Sequence, residues 1–387
     1  MRRRTVLASM AGALLTTAVP TGARAAEGGS ERPGRWRSEE FPAGNASVQQ
    51  VSAVGGGEVW AVGSRRFGQG RGNVTTVPVL FARGVHDRVW RERALPEGLA
   101  ASTVSSDGAG GVWLTGRSGA TGIPAFRHRA GRWQALESPV PEHAVTAGFG
   151  GLAAAGGPDD VWAVGAYQPD DLLTFYGLIA HWDGRAWTRV AVPALDTDYW
   201  TLSAVVAAGP ADVWAAGSIG TPEGWARPLL LRWDGRSWRR FAAPELDSRY
   251  GELTRLVAAG PGEVWAAGSQ NDASRDQRPL LARFDGRRWT HRDTGIAAGR
   301  LEDLVRTPSG LAVVGAAGAD GVFRPTGAEL TRRGWEPLDL PQGTTAGGRF
   351  PTGVVSVAGR LTVVGLDSAG RAPDGEPLPP APFAVSR

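Results

Sequence analysis

The chain has 387 residues and no cysteine. Disulfides, iron–sulfur clusters and thiol nucleophiles are excluded, so stability outside a cell has to come from packing alone. Lysine is also missing, and every base is an arginine. The five histidines, at 86, 128, 143, 181 and 291, are scattered and none sits at a ligand spacing. No metal and no cofactor is expected. His128 and His181 occupy like places in the pattern, which marks them as structural. There is no Gly-x-Ser-x-Gly elbow, P-loop or dinucleotide fingerprint. Gly68-Gln69-Gly70-Arg71-Gly72 reads as a flexible loop, because no Lys-Ser/Thr follows to hold phosphate. The longest apolar run, Leu7 to Val19, is shorter than the roughly 20 residues of a membrane-spanning helix.

That run follows Arg2-Arg3-Arg4 and precedes Ala23-Arg24-Ala25, the order of a cleavable export signal. Arg3-Arg4-Thr5-Val6-Leu7 resembles a twin-arginine signal, which delivers proteins already folded. The expected organisation is a signal peptide over 1–25, a flexible linker over 26–34 and one domain over 35–387. The expected location is secreted or extracellular, or the periplasm or cell-wall space. The formal net charge of +4 belongs to the signal: without Arg2, Arg3, Arg4 and Arg24 the chain has 38 bases against 38 acids. Net charge therefore gives no reason to expect nucleic acid.

What the sequence has in abundance is self-similarity. Asp212-Val213-Trp214-Ala215-Ala216-Gly217 recurs as Glu58 to Gly63, Asp160 to Gly165 and Glu263 to Gly268. The closing glycine falls at 63, 116, 165, 217, 268, 315 and 365, at intervals of 47 to 53 residues. Trp60, Trp113, Trp162, Trp214 and Trp265 fill the aromatic position in five copies, and the last two copies lack it. Each copy has an apolar run, a turn, the Val-Trp strand, a polar loop ending in proline (78, 124, 228, 279, 325), a third strand and a hairpin into a fourth. The Asp-Gly hairpins at 183, 234 and 285 suit turns with φ > 0 at both positions.

Four short antiparallel strands per roughly 50 residues predict an all-β, seven-bladed β-propeller of four-stranded blades. The fourth-strand aromatics Trp36, Trp90, Trp133, Trp187, Trp238, Trp289 and Trp335 also number seven, and the first precedes every Val-Trp strand. The last blade is therefore expected to be closed by the N-terminal strand, Trp36 to Phe41. The recurrent tryptophans are read as packing between blades, and the motif glycine as room for the next blade to crowd in.

Val-Trp-Ala-Val-Gly followed by Trp-Asp-Gly-x-x-Trp resembles secreted bacterial propellers of the kelch or galactose-oxidase-like type, and sialidase-like propellers of the BNR and photosystem-assembly type. Ser106-Asp107-Gly108-Ala109-Gly110-Gly111-Val112-Trp113 loosely echoes the Asp-box of sialidases. The arginine triad and tyrosine nucleophile that sialidase activity would imply are not placed, and the Cys-linked tyrosine of galactose oxidase is ruled out. The resemblance implies a fold more than an activity.

Function is expected on the face that carries the loops between strands two and three and between blades. There the sequence gathers Asp198, Tyr199, Trp200, Arg249, Tyr250, Tyr176 and Trp225, aromatic rings beside charges, beside further polar loops at Asp170-Asp171 and Asn271-Asp272. Rings cover apolar faces while charges fix hydroxyls or termini, the usual surface for a sugar or peptide. The favoured expectation is a non-enzymatic monomer binding a saccharide, peptide or protein. An extracellular carbohydrate-active hydrolase or lyase using Asp198 with Glu252 or Asp303 is the alternative. A structural cell-surface scaffold is a third.

Overall fold

The computed structural model describes residues 35–42, 44–67, 75–118, 122–169, 174–195, 197–271, 276–319, 322–371 and 378–387. The expected signal peptide and linker, the glycine-rich loop at 68–72, Asp170-Asp171 and Asp272 lie outside them. Among the described residues there is no helix, and so none long and apolar enough to cross a membrane.

Among the described residues twenty-eight strands follow the sequence repeats. A short strand β1 (Arg37–Glu39) comes first. The first repeat gives β2 (Ala46–Val54), β3 (Glu58–Phe67), β4 (Thr75–Gly84) and β5 (Arg91–Arg93). The second gives β6 (Ala101–Ser106), β7 (Val112–Ser118), β8 (Ala125–Arg129) and β9 (Arg132–Ala135). The third gives β10 (Ala144–Gly157), β11 (Asp160–Pro169), β12 (Tyr176–Trp182) and β13 (Trp187–Arg189). The fourth gives β14 (Trp200–Gly209), β15 (Asp212–Gly220), β16 (Ala226–Trp233) and β17 (Trp238–Phe241). The fifth gives β18 (Gly251–Gly260), β19 (Glu263–Asn271), β20 (Gln277–Phe284) and β21 (Trp289–His291). The sixth gives β22 (Arg300–Arg306), β23 (Leu311–Ala319), β24 (Val322–Thr331) and β25 (Gly334–Pro337). The seventh gives β26 (Arg349–Val357), β27 (Arg360–Asp367) and β28 (Ala381–Ser386).

All pairing within the sheets is antiparallel, in five four-stranded sheets and one of eight strands. The larger sheet departs from the expectation of separate blades. There β10 runs long and pairs with β7 at Ala147↔Ser118 and Gly148↔Arg117, fusing the second and third repeats. Glycine at 148 has no side chain to hold the two strands apart. The first strands β2, β6, β10, β14, β18, β22 and β26 each pack on the next, and β26 packs on β2. This ring of radial antiparallel sheets is a β-propeller.

The neighbouring first strands are stitched by side chains. Gln50 Oε1 accepts from Val104 N at 2.8 Å, Thr103 Oγ1 donates to Phe149 O at 3.0 Å, and Ser203 Oγ donates to Leu253 O at 3.1 Å. Asp303 Oδ2 accepts from Val354 N at 2.8 Å, and Thr352 Oγ1 donates to Val48 O at 2.9 Å, the seam that joins the two ends of the chain.

The motif glycines have a cause other than the expected one. All seven first strands carry a bulge at the residue after the one that faces the glycine, as at Val48/Gln50, Leu202/Ala204 and Leu301/Asp303. The bulge turns a backbone carbonyl toward the second strand. A Cβ at Gly63, Gly217 or Gly315 would overlap Ser47 O, Thr201 O or Arg300 O. The crowding therefore comes from within the glycine's own sheet, not from the next one.

The Asp/Glu-Val-Trp signature is also more than a turn. Arg232 lies 5.1 Å over the Trp214 ring and bonds Asp212 at 2.8 Å. Arg283 repeats this over Trp265 with Glu263, and His181 over Trp162 with Asp160. Each stack ties an acid, an indole and a third-strand arginine or imidazole. Where the acid is glutamate it also accepts the indole N–H, Trp60 to Glu58 at 2.9 Å and Trp265 to Glu263 at 3.0 Å. Aspartate is one methylene shorter, and the buried Nε1 atoms of Trp162 and Trp214 have no partner among the described residues. His128 does not share the place of His181: it faces Val112, whereas His181 faces Trp162.

Two further local expectations change. Pro78, Pro228, Pro279 and Pro325 lie inside third strands rather than at loop ends. They are tolerated because the short fourth strand does not reach them, so no N–H is missed. In the Asp-Gly hairpins only glycine has positive φ, as at Gly184, Gly235 and Gly286. The aspartate shapes the turn with its side chain, Asp234 Oδ1 accepting from Arg236 N and Ser237 N.

The closing strand is present. β1 pairs with β28 at Arg37↔Ser386, Ser38↔Val385 and Glu39↔Ala384. Its Glu39 is fully buried against Arg83 at 2.9 Å, accepts from Trp90 Nε1 at 2.8 Å and lies 3.3 Å from Arg360. Arg83 also donates to Thr362 Oγ1 at 2.7 Å. One buried carboxylate thus joins the first repeat, the last repeat and the opening strand.

Candidate functional site

The residue at the bulge is polar in six of the seven first strands, Gln49, Ser102, Ser203, Thr254, Glu302 and Thr352. The third repeat has Gly150 there instead, and a cavity of about 470 Å³ opens beside it at the loop face. Gly148 and Gly150 line it together with Tyr167, Phe175, Tyr199 and the arginines Arg117 and Arg255. Tyr199 is 44% exposed, and Phe175 meets it edge-on with ring centroids 5.6 Å apart. The backbone fixes that pair, since Trp200 N donates to Phe175 O at 2.8 Å and Gly220 N to Tyr199 O at 2.7 Å. Tyr167 stacks on Tyr176 at 5.6 Å, and the Tyr176 hydroxyl lies 3.4 Å from Asp198 Oδ1.

Of the seven expected residues Tyr199 lines the cavity; Tyr176 and Asp198 adjoin it through the Tyr167 ring and the Tyr176 hydroxyl, and Tyr250 lies near Tyr199. Burial pushes the Tyr250 phenol up to about 12, with Glu252 and Tyr199 adding to it and Arg300 opposing. Trp225 and Arg249 form a separate group where two loops meet. Arg227 donates to Ser248 O there at 3.0 Å. Glu223 is held below the usual carboxylate range by its own backbone N–H and Thr221, with Arg249 and Arg227 adding to it. Trp200 is no surface ring. It is 5% exposed, in the cluster of Trp162, Leu202 and Trp238, and packs where a side chain on Gly177 would otherwise go. It opens β14 and points inward in step with Leu202.

Sequence reasoning missed the channel lining: Gln49, Gln50, Arg117, Ser203 and Arg255. Six of the seven bulges carry a polar residue 13 or 14 positions before the motif glycine, a signal that reaches Gln49 and Ser203, whereas Arg117 directly follows its motif glycine. Of the carboxylates expected for catalysis, Asp198 lies beside the Tyr176 hydroxyl, Glu252 hydrogen-bonds Tyr250, and Asp303 is buried next to Glu302. Glu302 pairs with Arg300, burial raising its pKa against that arginine. Asp303 is pushed up to about 6 by burial, opposed by Arg255 and by the N–H groups of Val354 and Leu304. Asp107, of the Asp-box-like stretch, is buried and accepts from Ala109 N, Gly111 N and Arg127. It shapes its own turn. Among the described residues no group of three His, Asp or Glu could hold a metal ion.

A larger cleft of about 750 Å³ lies on the opposite face, at Thr307, Ser309, Glu329, Ser356 and Arg387. It marks the sixth repeat, where Ala312 replaces the indole and Glu329 stands opposite in the cation's place. Arg387 pairs with Glu329 and stacks on Trp36 instead.

No protein-family model matches this chain, and no curated protein does. Solved structures do. A Dyadobacter fermentans protein of unknown function is 13% identical with a TM-score of 0.50, over 92% of this chain and 99% of that one. YCF48 bound to D1 peptide is 16% identical with a TM-score of 0.43, over 70% and 78%. Trypanosoma rangeli sialidase is 12% identical with a TM-score of 0.49, over 89% of this chain and 55% of the sialidase. Identities this low speak of fold alone.

Proposed function

We propose that this chain is an exported, non-enzymatic, seven-bladed propeller that binds a small saccharide or a peptide segment at the mouth of its channel. The blade count treats the eight-stranded sheet as two blades joined by the β7–β10 contact. The observation that carries the binding reading is the cavity beside Gly150. Exposed backbone forms its floor, three aromatic rings one side, and Arg117 with Arg255 supplies charge. A shallow apolar wall with a few converging polar groups orients a ligand without performing chemistry on it. Of the carboxylates nearby, Glu302 and Asp303 are engaged by arginines and backbone amides and Glu252 by Tyr250, which favours binding over hydrolysis.

Calorimetry against oligosaccharide and peptide panels tests this, using the parent, Tyr199→Ala and Phe175→Ala. A ligand should emerge whose affinity falls at least tenfold in both variants, since each removes a ring of the wall. A ligand held equally by all three proteins would place the site elsewhere. Export is tested separately: fusing residues 1–34 to a reporter should carry it out of the cell, and Arg3→Lys with Arg4→Lys should abolish that.

A further inference from the structure

The balance of 38 bases and 38 acids hides a separation of charge. The outermost strands, with the turns that lead into them, cover residues 37–39, 85–93, 130–135, 183–189, 234–241, 285–291 and 332–337. They hold 14 arginines and 7 acids. Residues 26–387 outside them are left with 24 arginines and 31 acids, so the outer edge is positive by seven and the rest negative by as much. Arg88, Arg132, Arg185, Arg236, Arg287 and Arg332, one from each of six repeats, are all exposed and make no ion pair among the described residues. Acids of the same edge are partly occupied: Asp87 by Arg91 and Gly84 N, Asp234 by Arg239 and its turn amides. Glu39 is buried.

We infer that this edge is an interaction surface for a linear acidic polysaccharide that tracks the circumference. A cation repeated at the entry to the outermost strand, two residues before its tryptophan in four repeats and one or three before it in two, meets a partner whose own charge repeats. Each guanidinium can take a carboxylate or sulfate through two parallel N–H bonds. A bilayer fits less well, because stable adsorption adds apolar insertion to basic charge. Of the exposed large apolar residues only Val89 lies on this edge. Single-stranded nucleic acid fits less well too, since no exposed aromatic ring is there to stack a base. The surface is separate from the channel mouth and independent of the ligand proposed there.

The test uses polygalacturonate as the probe, with neutral dextran, duplex DNA and phosphatidylglycerol vesicles beside it, at two salt concentrations. The parent should bind polygalacturonate, weaken as salt rises and ignore dextran. The variant Arg185→Gln, Arg236→Gln, Arg287→Gln, Arg332→Gln should keep the parent's melting temperature and bind at least tenfold more weakly with a flatter salt dependence. Tyr199→Ala should bind as the parent does. The inference is overturned if the fourfold variant binds unchanged, or if DNA or vesicles are held as tightly as polygalacturonate.

Discussion

Gly217 and Gly260 lie in neighbouring sheets and differ in one respect. A Cβ at 217 runs into Thr201 O, whereas at 260 it meets nothing within 4 Å. Gly217→Ala should cost about 3 kcal/mol in denaturant unfolding, and Gly260→Ala less than about 0.5 kcal/mol. Equal effects would remove the bulge as the reason for the motif glycine. Trp214 offers the opposite change. Asp212→Glu would carry a carboxylate to its unpartnered Nε1, as Glu263 does for Trp265, and should add about 1 kcal/mol. Asp303 governs a pH effect. Its folded pKa of about 6 lies above the unfolded value, so the folded state holds a proton that the unfolded chain has released. That contribution is whole below about pH 4 and is lost as pH rises to about 6, worth about 3 kcal/mol. Melting temperatures of the parent relative to Asp303→Asn should therefore fall across that window and level off above it.

At the scale of strands, the period of the glycines and tryptophans made the sheets legible, because equal sheets repeat the same bulge against the glycine and the same packing of the indole. The bulges were not legible, since an extra residue in a strand leaves the spacing elsewhere intact. Their polar side chains passed for ordinary strand residues, and with them the channel lining. Trp200 was misplaced for a related reason: a loop-rich context hid the first residue of an inward-facing alternation. Tyr199, which lines the cavity, stood out because tyrosine is scarce here and the loops of Tyr176, Tyr199 and Tyr250 adjoin. The opening strand supplies its own prediction. Glu39→Ala strands Arg83 in the interior without its counter-charge and should cost about 3–5 kcal/mol. Double substitution of Glu39→Leu with Arg83→Met should recover most of that loss in the same denaturation assay.

For the molecule as a whole, the seams make each sheet depend on both neighbours. Side-chain bonds cross from the first repeat to the second and from the seventh back to the first, and no sheet is left to melt alone. Thermal unfolding should be one transition, with fluorescence of the tryptophans and far-ultraviolet dichroism coinciding. Two separated transitions would mean that part of the circle opens independently.

The pairing of β1 with β28 also bears on synthesis. Until β28 has emerged from the ribosome, β1 has no strand to pair with and the circle stays open between β1 and β27. Chains cut short by a premature stop could never seal and would expose raw sheet edges to proteases. The order of synthesis is thereby written into the shape itself, as a lock that turns only when β28 arrives.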